Sequence, residues 1–198
     1  MNTEDEYITL YKLYFRPGYY SHPQRWEAAG LSQWQNDYKI YPGLRPEIDR
    51  QLRESYKWSW PEKGFTLNAM PRQLIVWIDK IPILLLALGL LFLECPDYLT
   101  LQYYRKELSH TLGEIALNQI SMFWQGGSQR PLVEPEDLCD HAFSAGLALF
   151  DKLLITDPVG PMIMQTLPLV DSTEDSSFFS QATNEKVWRV LRSLGRFI

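Results

Sequence analysis

The 198 residues are 45% hydrophobic and 22% charged, the balance of a folded globular chain and not of a disordered or fibrous one. A chain this long buries about 70% of the surface its unfolded form exposes, so a core needs neither disulfides nor metal. Nineteen basic against 24 acidic residues give a net charge of −5, which argues against a binder dominated by nucleic-acid phosphates.

The opening Met1-Asn2-Thr3-Glu4-Asp5-Glu6 is acidic where a signal peptide is basic, so no targeting segment is expected. Thr3 is placed to cap a first helix, with Glu4, Asp5 and Glu6 complementing its dipole. Tyr7, Leu10, Tyr11 and Tyr14 recur at helical spacing until Pro17-Gly18 stop the run. Pro23, Trp26 and Gly30 mark a second short helix.

Residues 33–64 read as the least regular part, broken by Pro42-Gly43, Pro46 and Pro61. A helix from Pro46 to about Tyr56 fits there, since Ile48 and Leu52 share a face. Trp34, Trp58 and Trp60 are too apolar to leave wholly in water.

Pro71 is expected to open a long apolar helix running to Leu93, kinked at Pro82. Its uninterrupted apolar part, Ile81–Leu93, is 13 residues long. A spanning helix needs about 20, so the segment reads as the centre of a core. Pro96-Asp97 restart a helix through about Leu108. The next one carries Leu112, Ile115, Ala116, Ile120 and Phe123 on one face and ends at Gly126-Gly127.

Past the Arg130–Pro135 loop, Leu138, Ala142, Ala145 and Leu149 form an apolar stripe with Phe143, Gly146 and Phe150 beside it. Its small residues would admit a second helix closely. Pro158 and Pro161 bracket a turn, residues 171–177 read as an exposed polar loop, and 178–198 as an amphipathic C-terminal helix. The fold class is therefore all-α: a single compact domain over 1–198, with seven or eight helices around the kinked apolar one.

Catalytic patterns are missing. Gly126-Gly127-Ser128 lacks the Lys-Ser/Thr of a phosphate loop and reads as a helix-ending turn. His22, His110 and His141 are dispersed, and Cys95 and Cys139 read as reduced thiols, neither a disulfide nor a zinc site. Asp137, Asp140 and His141 could face one metal from a helix, but no further ligand pattern completes them. Cys139 and His141 fall on nearly opposite helix faces, which rules out a nucleophile–base pair. No cofactor or metal is expected.

Charge is distributed unevenly. Residues 134–175 hold nine acids and one base, whereas 186–198 hold Lys186, Arg189, Arg192 and Arg196 and no acid. The basic C-terminal segment reads either as a solvated helix docked on the body or as one meeting an acidic partner or anionic membrane.

Several segments, taken in order, resemble the SctK family (YscK-like proteins) of bacterial type III secretion systems. They are Tyr7-Ile8-Thr9 through Phe15-Arg16-Pro17 with Tyr20 and His22; Leu88-Gly89-Leu90; and Trp124 followed by Arg130-Pro131-Leu132. Further on come Ser144-Ala145-Gly146-Leu147-Ala148-Leu149-Phe150 and Leu167-Pro168-Leu169. The resemblance implies a non-enzymatic, helical, cytoplasmic adaptor of the sorting platform. It would link the inner-membrane ring protein's cytoplasmic domain (SctD) to the pod protein (SctQ), and through the pods reach the stator and ATPase (SctL and SctN). Trp58 and Trp60 are then expected in one contact face and Arg189, Arg192 and Arg196 in another. The alternative is a peripheral membrane or partner-binding protein using the basic C-terminal helix.

Overall fold

The computed structural model describes residues 3–58, 60, 65–124, 126–169 and 182–198. Among them the chain forms thirteen α-helices and no strand, and the fold is all-α. Helices outnumber the seven or eight expected because prolines start new ones. Five helices carry proline at their first or second position, where the missing amide hydrogen has no intrahelical partner to lose.

The residues gather into two compact units. The first runs up to Ile78 and adds Leu154–Leu169; the second is Asp79–Leu153 with the C-terminal segment.

The first unit begins with α1 (Thr3–Phe15), α2 (Pro17–Tyr20) and α3 (Pro23–Ala28). It continues through α4 (Gln35–Ile40), α5 (Arg45–Ser55) and α6 (Ala69–Val76). Residues 33–64 are thus largely helical up to Ser55, with Pro42 and Pro46 opening a 3-10 turn and α5. One core cluster joins Trp26, Leu31, Tyr38, Ile48 and Leu52. Within it the buried Asp49 accepts hydrogen bonds from the Tyr38 hydroxyl (2.9 Å) and the Gly18 amide (3.0 Å), tying α2, α4 and α5 together.

α1 buries Leu10 and Leu13, while Tyr7 and Tyr11 are exposed. Its nearly buried Glu6 ion-pairs with Arg72 of α6 at 2.9 Å, a contact without hydrogen-bond geometry. α12 (Gly160–Met164) packs on α1 and α6. The fully buried Gln165 that follows it donates to the carbonyls of Leu13 (2.8 Å) and Met162 (2.9 Å). Arg25 donates to the carbonyls of Met164, the last residue of α12, and of Leu167 just beyond it.

The expected single helix Pro71–Leu93 is two helices. α6 starts before Pro71, ends at Val76 and gives way to a 3-10 turn over Ile78–Lys80. Pro82, at the second position of α7 (Ile81–Phe92), begins a helix and does not kink one.

In the second unit α7 is buried on nearly every side, from Leu84 through Leu90. α8 (Asp97–Thr100) and α9 (Gln102–Leu112) replace one expected helix, since Leu101 between them is extended. α10 (Glu114–Met122) buries Ala116, Leu117 and Ile120. Ile115, expected in that face, is 78% exposed, because the core lies one residue's rotation away, towards Leu117.

α11 (Leu138–Leu154) meets α7 as its small residues foretold. A Cβ on Gly89 would collide with the Ala142 carbonyl, and one on Gly146 with the Leu85 carbonyl. α13 (Asn184–Leu194) lies on α7 through buried Val187, Leu191 and Leu194. Each such side chain contributes about 1.5–3 kcal/mol of burial. The exposed loop expected at 171–177, and residues 178–181 of the expected final helix, lie outside the described residues.

Candidate interaction surfaces

α1 carries more apolar residues than one core face can use. With Leu10 and Leu13 turned inward, the remainder fall on the opposite side: Tyr7, Ile8, Tyr11 and Phe15 are all exposed. Trp60, 41% exposed, packs against this stripe. Its ring lies 5.1 Å from Tyr14, 5.4 Å from Phe15 and 6.4 Å from Tyr11, while Tyr11 and Phe15 are 4.3 Å apart. Those spacings are the offset and edge-on packings that aromatic quadrupoles favour.

Arg53 of α5 fixes the cluster from one side. Its guanidinium sits 5.6 Å from the centre of Tyr14 and 5.8 Å from that of Phe15. It also donates to the Phe15 carbonyl at 3.2 Å, one of the acceptors left open at the end of α1. The resulting surface is aromatic, pre-ordered and held by an arginine, which is the composition of protein-interface anchors.

Trp58 takes a different position. It is half-buried, stacked on Tyr56 at 5.2 Å, and its amide donates to the Arg53 carbonyl. The two tryptophans expected in one face therefore contact different neighbours, and only Trp60 joins the α1 cluster. The sequence reading missed Tyr11, Phe15 and Arg53. The signal was present: an apolar residue count on α1 that exceeds a single stripe.

The basic side chains of α13 point outward. Arg189 and Arg192 are exposed, as is Arg196 in the turn beyond the helix. Arg189 pairs with Glu185 one turn back at 2.9 Å, where both are well solvated. These arginines are apart from the helix's buried side, so the segment is docked on its unit and still presents positive charge.

The residues with catalytic types do not converge. Among the described residues no group of three or more His, Cys, Asp or Glu side chains could hold a metal ion. Asp137 lies in a 3-10 turn before α11, which holds Asp140 and His141. His22 instead caps α3, its Nδ1 accepting from the Gln24 amide at 3.4 Å. Burial, then the nearby Arg25, holds its pKa below the ordinary value. Cys95 is buried, which pushes its thiol pKa up and makes it a poor nucleophile.

The family model for type III secretion system subunits matches residues 8–169, which include α1 from Ile8 onward, α5, Trp60 and the α7–α11 crossing. The chain belongs to the type III secretion system subunit family. The Tyr11, Phe15 and Trp60 cluster thus lies inside the matched span, and α13 lies beyond it. No curated protein and no solved structure matches the chain. For a secretion subunit the natural counterparts are other proteins of the apparatus. Among the described residues no single helix is long and apolar enough to cross a membrane.

Proposed function

We propose that this type III secretion subunit is a SctK-type adaptor of the sorting platform. It joins the cytoplasmic domain of the ring protein SctD to the pod protein SctQ, and through the pods reaches SctL and SctN. It works at the cytoplasmic face of the inner membrane and catalyses no reaction. The ordered resemblance of its segments to SctK supports this assignment within the family.

One observation carries it: the exposed cluster of Tyr11, Phe15 and Trp60, clamped by Arg53. Water gains nothing from such a surface, whereas a partner that covers it removes several aromatic rings from solvent at once. Rings already packed against each other also lose little freedom on binding.

The test is a pull-down of the ring and pod proteins by the double variant Tyr11→Ala, Trp60→Ala. Capture of one partner should fall more than tenfold, a loss typical of anchor residues, with an unchanged circular dichroism spectrum. Undiminished capture of both partners by a folded variant removes the aromatic face from the adaptor role. Failure of the wild-type chain to capture either partner removes the SctK assignment itself.

A further inference from the structure

The outward side of α1 has a regularity beyond its aromatic content. Glu4, Ile8, Tyr11 and Phe15 are all exposed and fall in one row, with steps of four, three and four. Those are the steps of a coiled-coil seam, in which alternating spacings keep successive side chains facing one partner helix. Glu6, Leu10 and Leu13 are buried on the opposite side, so the row is turned away from the core of the first unit.

The row is the same in both directions. Reversed about its midpoint between Thr9 and Leu10, it sets Ile8 opposite Tyr11 and Glu4 opposite Phe15. A second α1 laid antiparallel therefore meets the first in register. Each helix offers the other the same row, which is the self-complementarity that a two-fold interface demands.

The flanks obey the same symmetry. Asp5 and Lys12 each follow a residue of the row, and both are exposed. In the antiparallel pair Asp5 of one copy stands beside Lys12 of the other, twice over, and the helix dipoles oppose favourably. A parallel pair would set Glu4 against Glu4 in the seam, so charge selects the antiparallel arrangement. On the other flank Tyr7 and Tyr14 each precede a residue of the row. The Trp60 ring lies 5.1 Å from Tyr14, which places it towards Tyr7 of the second copy.

We propose that two copies of this chain associate through α1, packed antiparallel along Glu4, Ile8, Tyr11 and Phe15. The pairing covers the face assigned above to a partner protein. It rests on that reading only for its consequence, that a second copy and a partner compete for one surface. The row, its flanks and Trp60 are far fewer than the about 20–30 residues a side of a stable complex. The pair is therefore weak and exchanging, and a partner with a larger contact displaces it.

Sedimentation equilibrium of the full chain at low ionic strength, from about 10 to about 500 μM, is the test. The mean mass should rise from the 23.2 kDa of one chain towards twice that value as concentration increases. Ile8 is 44% exposed, so Ile8→Ala should keep the circular dichroism spectrum while weakening association about tenfold. Asp5→Lys sets like charges side by side on the flank, and so does Lys12→Asp. Each should stay monomeric alone, whereas an equimolar mixture of the two should associate as wild type does. A merely local effect on α1 would not be rescued by mixing. The pairing is overturned if wild type stays monomeric throughout, if Ile8→Ala associates like wild type, or if mixing restores no dimer. The ring and pod proteins take no part in these measurements, so the pull-down decides the adaptor reading separately.

Discussion

Gly89 and Gly146 face each other where α7 crosses α11, each against the other helix's backbone. A Cβ at position 89 would collide with the Ala142 carbonyl and stand 2.9 Å from the Gly146 amide nitrogen. Two helices can approach this closely only where neither has a side chain, and here the burial of the α7 surface depends on that approach. Backbone on each side leaves no rotamer to move aside. Gly146→Ala should therefore lower stability by about 1–3 kcal/mol, as overpacking does. Gly43→Ala, where nothing lies within 4 Å of the added carbon, should stay within about 0.5 kcal/mol. Urea unfolding followed by circular dichroism measures both. Equal stabilities for the two variants would mean that the helices part without penalty.

Asp49 makes the first unit's core sensitive to pH. Burial raises its pKa, against the opposing hydrogen bonds from Gly18 and Tyr38. In the unfolded chain the carboxyl ionises near its ordinary 3.8, so between that value and the higher folded one the native state holds more proton. Its contribution to stability therefore declines as pH rises through this interval. Asp49→Asn keeps an acceptor oxygen for both donors and should abolish that slope. Asp49→Ala leaves the Tyr38 hydroxyl and Gly18 amide unpaired, costing about 1–3 kcal/mol for each. Unfolding midpoints of the three proteins from pH 3 to 7 distinguish these outcomes.

His22 titrates in the opposite sense. Its Nδ1 accepts from the Gln24 amide and can do so only while unprotonated. With the folded pKa held below the ordinary 6.5, the unfolded chain takes up the proton first as pH falls. Stability should thus be lost as the solution is acidified from pH 6.5 through the folded value. His22→Asn supplies a non-titrating cap at the same position and should flatten the curve in that range. A thermal-unfolding series from pH 7.5 to 5 checks it, and an unchanged slope in the variant would assign the dependence to another group.

Local periodicity made α5, α11 and the apolar side of α13 legible, because Ile48/Leu52, Ala142/Ala145 and Val187/Leu191 repeat at helical spacing. The break between α6 and α7 was less so: proline near a helix start and proline at a kink have the same local signature, and packing decides between them. α1 has two apolar sides, one for Leu10 and Leu13 and one for Tyr11 and Phe15, and spacing alone does not say which is buried. The Asp49–Tyr38–Gly18 network joins residues 31 apart at its ends, a contact that no local pattern announces. Nor does a sequence show that Glu94, just past α7, adopts the positive φ at which helices prefer glycine.

α13 divides its residues between two tasks, and substitution should separate them. Leu191 is 1% exposed and lies against α7, so Leu191→Ala removes buried volume that its neighbours cannot refill. A loss of about 2–5 kcal/mol is expected in urea unfolding. Arg189, Arg192 and Arg196 are solvated, and changing all three to glutamate exchanges favourable helix-end charges for unfavourable ones. That triple variant should lose only about 1 kcal/mol and keep its circular dichroism spectrum, while capture of one partner protein falls. If it unfolded like Leu191→Ala, the arginines would be part of what holds α13 in place, and the outward charge could not be assigned to a partner.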